Sequence, residues 1–265
     1  LAAILALMSR ASGLDLDCYK QSTLRRQVWR RCRALGLGTL EAYLAVLQAD
    51  AGELVQLQHG LLVLVSAFFR DSEVFDVLRP ALEALVAARG PGEALRVWVP
   101  ACATGEEVYS IAMLLGEVLD ERGGSFELRV FATDVDRDAL DFARAGLYPA
   151  AALAGLGEAR LARWFRPEAH DQWRVSKALR DVCVFSVHDL TRHPPLVRMD
   201  LLSCRNVLIY FKAAQQAELL RSFHFALNPG GLLLLGKSES VSLDGGGFDV
   251  VDPAGRLYRC AARPL

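Results

Sequence analysis

Two adjacent carboxylates, Glu106 and Glu107, follow a single glycine, Gly105, at the end of an apolar run. The run from Leu95 to Val99 reads as a strand, the small residues after it as a tight turn, and Glu106 to Leu119 as a helix. Strand, turn and helix in this order build a cofactor cradle at the C-terminal end of the first strand of a doubly wound fold. A helix N-terminus attracts anions, and phosphate-binding turns exploit that. Two acids on the same ground repel a pyrophosphate. A dinucleotide fingerprint also needs three glycines, and this turn has Gly105 alone. NAD and FAD are therefore disfavoured, and a ligand with cationic or hydroxyl groups is expected. Glu107 is left with a helix-capping role.

Asp134 ends the second strand, in V-F-A-T-D-V-D. An acid at this tip bonds ribose hydroxyls. Its other reading is an N-cap for a helix over 136–145, a place that Asp136 fills equally well. The fourth strand runs into Ser203-Cys-Arg-Asn-Val-Leu-Ile-Tyr-Phe211, where a substrate group would meet the cofactor's reactive end. Asn206 offers amide donors and an acceptor, and Tyr210 a hydroxyl, unless that ring is core. An acid or Asn followed by two prolines and an aromatic, the pattern of adenine-modifying enzymes, is absent here, so a base substrate loses support. Gly231-Leu-Leu-Leu-Leu-Gly-Lys-Ser238 fits the P-loop pattern by letter, but four leucines are strand interior rather than a phosphate-wrapping loop.

A third kind of chemistry is cationic. Thr23 to Ala34 reads as a helix carrying five arginines, of which Arg26, Arg30 and Arg33 fall on one face. That face is either solvated or a dock for an acidic partner. The five histidines are scattered, and no triad or metal site is expected. The six cysteines show no C-x-x-C spacing, which suits reduced thiols.

The elements that position these residues fall into two halves. At 265 residues, 52% hydrophobic and 23% charged, the chain can bury a sizeable core. A net charge of −1 argues against a dedicated nucleic-acid binder. No apolar run approaches a membrane span, and a cytoplasmic location is expected. The chain does not open on Met, so a piece of a longer protein is expected. Residues 1–64 read as four helices: Leu1–Ala11, Thr23–Ala34, one capped by Thr39, and Glu53–Leu64. Residues 65–265 form the second domain. Asp71 is expected to cap a helix over Glu73 to Ala88 that Pro80 breaks or kinks. Strands at 95–99, 127–133, 182–187, 200–204 and 231–235 alternate with helices at 106–119, 136–145 and 213–226. This is an α/β pattern with right-handed crossovers. A hairpin over 248–260 closes it, which is the class I methyltransferase (Rossmann-like) architecture: a mostly parallel seven-stranded sheet with a C-terminal antiparallel hairpin. A small β-subdomain is inserted at about 149–181, with a helix near 156–164 and a strand at Trp173 to Val175.

Three spaced blocks, S-A-F-F-R-D from Ser66, A-C-A-T-G-E-E-V-Y-S from Ala101 and C-R-N-V-L-I-Y-F from Cys204, resemble the signature blocks of the chemotaxis receptor methyltransferases (CheR type). The resemblance runs from about Tyr19 to about Glu239 and includes Y-K-Q-S-T-L-R-R and A-T-D-V-D. It implies methyl transfer from S-adenosylmethionine to glutamate side chains of receptor signalling helices, with S-adenosylhomocysteine as product. It assigns Ser66, Arg70, Ala101, Glu106, Asp134, Asp189, Leu190, Asn206 and Val207 to cofactor binding, and Arg70 and Tyr210 to the transfer site. Arg26, Arg30 and Arg33 would dock the acidic helical cytoplasmic region of a methyl-accepting receptor. Members usually have Thr where Ser66 stands, often Pro at Val108 and Asn at Asp189, and many have Gly at Ala101. The inserted subdomain resembles one that in some members binds a receptor C-terminal pentapeptide through a glycine-containing loop. Arg166 to Trp173 has no Gly, so no pentapeptide tether is expected. The rival reading is a non-catalytic domain that binds S-adenosylmethionine or its demethylated product as a sensor or scaffold within a larger signalling protein. Nucleic-acid partners and membrane insertion are not expected.

Overall fold

The computed structural model describes residues 1–62, 65–90, 92–123, 127–241 and 247–261. Its contacts divide the chain into two compact units, residues 1–64 with 210–216, and residues 65–209 with 217–265.

The smaller unit holds α1 (Ala2–Ser12), α2 (Gln21–Ala34), α3 (Leu40–Ala49) and α4 (Ala51–Leu61). Local chemistry starts α3 and α4: Thr39 Oγ1 accepts the amide of Ala42, and Asp50 Oδ1 that of Gly52. The apolar stripes meet in a core that includes Ile4, Met8, Leu24, Val28, Tyr43, Leu47 and Leu57. One carboxylate sits inside it. Glu53 is 5% exposed and accepts two N–H groups of Arg31 at 2.7 Å and the Tyr43 hydroxyl at 2.8 Å. The fourth helix begins two residues earlier than expected, because Asp50 caps it. Its expected end at Leu64 lies outside the described residues. Residues 210–216 join this unit through the 18–20 segment. Lys20 N donates to Tyr210 O at 2.8 Å, Lys212 N donates to Cys18 O at 2.9 Å, and the rings of Tyr19 and Phe211 lie 4.7 Å apart.

The larger unit opens with α5 (Ser72–Ala87). Pro80 does not break it. Val74, Phe75 and Leu78 before the proline and Leu82 and Val86 after it form one buried stripe. Burying each such side chain is worth about 1.5–3 kcal/mol, so together they outweigh the ~3 kcal/mol cost of an interior proline. Next come β1 (Ala94–Pro100), α6 (Glu106–Arg122), β2 (Glu127–Asp134) and α7 (Arg137–Ala145). The insertion holds β3 (Leu147–Pro149), α8 (Glu158–Trp164), β4 (Phe165–Pro167), β5 (Gln172–Val175) and α9 (Lys177–Asp181). The strands β6 (Cys183–Val187) and β7 (Met199–Cys204), the helix α10 (Ala213–Ala226), and β8 (Leu227–Leu235), β9 (Phe248–Asp252) and β10 (Leu257–Cys260) complete the chain.

Seven strands form one sheet in the order β6-β2-β1-β7-β8-β10-β9. The first five are parallel, and β10 runs antiparallel to both of its neighbours. Central strands of such a sheet are covered on both faces. Accordingly every residue of β7 is buried, as are Val97 to Pro100 of β1. Leu232 to Leu235 are buried too, and they pair with β7 on one side and β10 on the other. The four leucines of the P-loop-like pattern therefore lie on a strand in the ladder, and Gly236 after it donates its amide to Glu239. A second, antiparallel sheet, β3-β5-β4, makes the insertion, which starts at Leu147. Its strand pairing reaches two residues further back than the apolar pattern shows.

Candidate functional site

Parallel pairing brings the C-terminal ends of β1, β2 and β7 to one edge of the sheet. Pro100 pairs with Thr133, and Trp98 with both Phe131 and Leu202. Four segments meet there: 101–106, Asp134, 203–207 and the turn before α5.

The turn after β1 is strained. Ala101 and Ala103 have φ of 53° and 47°, and Gly105 has 91°. Left-handed backbone costs a residue with a β-carbon about 1–2 kcal/mol. Gly105 has a second reason to lack one: a β-carbon there would come 2.8 Å from that of Ala143. The turn is held by its neighbours. Ala103 N donates to Asp134 Oδ2 at 2.8 Å, Cys102 N to Thr133 O at 3.0 Å, and the Tyr148 hydroxyl to Thr104 O at 2.6 Å.

Asp134 is 6% exposed, and its Oδ1 accepts the amide of Asp136 at 3.0 Å. Burial pushes the Asp134 carboxyl above its ordinary range, and the backbone amides pull against that. The cap of α7 is Asp136, which accepts the amide of Ala139. Glu106 is 8% exposed; its Oε2 accepts the Thr104 hydroxyl at 2.7 Å. Among the described residues its other oxygen makes no hydrogen bond. Cys102 in the same turn is buried, and burial pushes its thiol well above its ordinary range, the environment of a structural cysteine.

Glu107 does not cap α6. Its Oε1 accepts the Ser203 hydroxyl at 2.6 Å and its Oε2 a guanidinium N–H of Arg205 at 3.1 Å. Asp71 holds the N-cap position of α5 as expected, but its side chain makes no capping hydrogen bond there. Its φ is 57°, and its carboxylate accepts from the same guanidinium at 2.8 Å. Buried charge attracts an opposite charge more strongly than an exposed helix end does. Arg205 is the residue that sequence reasoning passed over. A charged residue between the buried strand β7 and Asn206 was the available signal.

Asn206 is left-handed, with φ of 60°, which Asn tolerates better than most residues. Its amide donates to Glu239 Oε2 at 3.0 Å, and that oxygen also accepts Gly236 N at 2.7 Å. A β-carbon on Gly236 would stand 2.8 Å from Asn206 N, so the two turns approach only with glycine there. Val207 beside Asn206 is partly buried.

Arg70 is partly exposed, and its Nη1 donates back to Val65 O at 3.0 Å. Ser66 and Leu190 are partly buried. Asp189 folds into an Asx turn, its Oδ1 accepting from both the amide and the hydroxyl of Thr191. Tyr210 belongs by its contacts to the smaller unit, and Arg70 to the larger.

In the smaller unit, Arg25, Arg26, Arg30 and Arg33 line an open cleft of about 1220 Å³ with Trp29, Gln21, Ser22 and Leu1. Arg25 joins the expected three. The Arg33 guanidinium lies 5.9 Å from the Trp29 ring centroid. Arg31 faces Glu53 instead.

The donor set suits S-adenosylmethionine: a carboxylate at a helix N-terminus for an ammonium group, and a second at the tip of β2 for hydroxyls. Among the described residues, no helix is long and apolar enough to cross a membrane.

Residues 65–253 match the family described as CheR methyltransferase, SAM binding domain, and residues 1–62 match CheR methyltransferase, all-alpha domain. The chain is 36% identical over 246 residues to a chemotaxis protein methyltransferase of Salmonella typhimurium, covering 90% of this chain and 83% of that protein. It is 32% identical over 241 residues to the chemotaxis protein methyltransferase Cher2 of Pseudomonas putida, covering 89% and 88%. Over all 265 residues it is 36% identical to an uncharacterized 104.1 kDa protein of Rhodobacter capsulatus, of whose length it spans 28%.

Proposed function

Because the chain belongs to the CheR methyltransferase family, we propose that it methylates glutamate side-chain carboxylates of a chemoreceptor-like signalling protein, forming methyl esters. The cofactor is S-adenosylmethionine, the ligand of the family's domain matched by residues 65–253. The observation that supports the reading is that Glu106, Asp134 and Asn206 follow or end β1, β2 and β7 on one edge of the sheet.

When bound, S-adenosylmethionine supplies an electrophilic methyl group on a sulfonium. A glutamate carboxylate is ionised at neutral pH and needs no general base. The residues' work is then to bind and to orient. Glu106 pairs with the ammonium group through its unengaged oxygen. Asp134 holds ribose hydroxyls while it fixes the turn. Asn206 and Val207 line the end near β7, with Ser66, Ala101, Asp189 and Leu190 completing the binding set. Arg70 and Tyr210 orient the carboxylate and the cofactor's amino-acid tail. Arg26, Arg30 and Arg33, with Arg25, draw in the acidic receptor helix.

The test incubates labelled S-adenosylmethionine with candidate receptor cytoplasmic fragments and reads base-labile methyl label. Label on acidic helices is expected. Tight cofactor binding without label on any of them favours the sensor or scaffold reading instead.

A further inference from the structure

Arg205 follows β7 directly, and its side chain has 0% exposure. Its guanidinium joins three segments of the larger unit. Nη2 donates to the carbonyl oxygen of Arg70 and to Asp71 Oδ2, both at 2.8 Å. Nη1 donates to Glu107 Oε2 at 3.1 Å, in the first turn of α6. The guanidinium carbon lies 5.7 Å from the ring centroid of Phe75. None of these contacts serves a ligand.

They do serve the turn that carries Arg70. Phe69 and Asp71 on either side of it have φ of 47° and 57°. Such backbone persists only when its surroundings over-determine it. On one side Phe69 N donates to Ser110 Oγ at 2.9 Å. On the other, Arg205 grips the Arg70 carbonyl and the Asp71 carboxylate. Glu107, itself held by the Ser203 hydroxyl, holds Arg205 in turn, so the end of β7 and the start of α6 fix where the Arg70 side chain begins.

We infer that Arg205 is a positioning residue for methyl transfer: from a fully buried site it holds the backbone of Arg70 in the geometry the transfer step requires. The inference rests on the transfer-site role proposed for Arg70. A lysine at 205 keeps the charge but loses the planar fork that reaches three groups at once.

The test is a double-mutant cycle in the full chain: wild type, Arg70→Ala, Arg205→Lys and the double variant. Each is measured for single-turnover methyl transfer at saturating S-adenosylmethionine, S-adenosylhomocysteine affinity and thermal midpoint. Arg205→Lys is expected to slow transfer on the order of 10- to 100-fold, the scale of a misplaced group, with any loss of S-adenosylhomocysteine affinity no greater than that of Arg70→Ala. In the Arg70→Ala background it is expected to have no further effect. Equal losses in both backgrounds, or wild-type transfer by Arg205→Lys, overturn the inference. If Arg205→Lys does not fold, Asp71→Asn removes one arm of the grip and decides by the same comparison. Wild-type transfer by Arg70→Ala refutes the reading of Arg70, and the inference with it. An impaired Arg70→Ala with additive losses refutes the inference alone.

Discussion

The carboxylate of Asp134 and the amide of Ala103 meet at 2.8 Å, so the acid at the end of β2 shapes the turn at the end of β1. The same group expected to hold a ribose is thus also a backbone clamp. Asp134→Ala strips the amides of Ala103 and Asp136 of their acceptor. It should lower stability by roughly 2–6 kcal/mol, since each of the two donors left unpaired costs about 1–3 kcal/mol. Urea denaturation checks this. A melt like that of the wild type would mean the clamp is dispensable.

Glu106→Gln keeps an acceptor for Thr104 and removes the charge. S-adenosylmethionine affinity should fall about 10- to 100-fold, the loss of one charge-assisted hydrogen bond, with the thermal midpoint little changed. Calorimetric titration gives the number. Unchanged affinity would remove Glu106 as the partner of the ammonium group.

Ala101 stands with φ of 53°, a left-handed geometry that glycine adopts without strain. Ala101→Gly relieves left-handed strain of about 1–2 kcal/mol, less the roughly 0.4–1 kcal/mol of added freedom in the unfolded chain. A net gain of up to about 1.6 kcal/mol in unfolding free energy, read as a higher urea midpoint, is expected. A net loss would show that surrounding contacts already absorb the strain.

Glu53 makes the stability of the smaller unit acid-sensitive. The hydrogen bonds from Arg31, then the one from Tyr43, hold its carboxyl below the ordinary value of 4.5, against burial. A depressed folded value means this stabilisation is complete above the unfolded value and is lost as pH falls through the folded one. The thermal midpoint should therefore drop as pH falls below about 4.5, and Glu53→Gln should flatten that part of the profile. An identical profile in both proteins would assign the acid sensitivity elsewhere.

Arg26, Arg30 and Arg33 are exposed on α2 around one cleft with Arg25. If they dock an acidic helix, alanine at any one should raise KM for the receptor fragment severalfold and leave kcat near wild type. Rising ionic strength should shrink the difference between wild type and variant. A fall in kcat at constant KM would place these residues in the transfer step instead.

Much of this was legible from residue order. The alternating apolar runs gave all seven strands of the large sheet. The sequence T-G-E-E after one such run marked the cradle, and Thr39 and Asp136 are caps that local chemistry selects. The side-chain roles of Asp71 and Glu107 were misread by the same local logic. Each residue stands at a helix start, where an acid ordinarily caps, yet each turns inward to Arg205. Pro80 does not make the break that was one of its two expected outcomes, because the buried stripe that carries α5 past it depends on what the helix packs against.

From sequence alone came the order of the elements, the rejection of a phosphate ligand and the blocks shared with one methyltransferase family. These depend on periodicity and on residue types close together in the chain. The partners of the buried charges came only from the tertiary structure. Arg205 stands 134 positions from Asp71 and 98 from Glu107. A buried guanidinium takes whichever carboxylates the sheet order brings within reach, and no local pattern encodes that order.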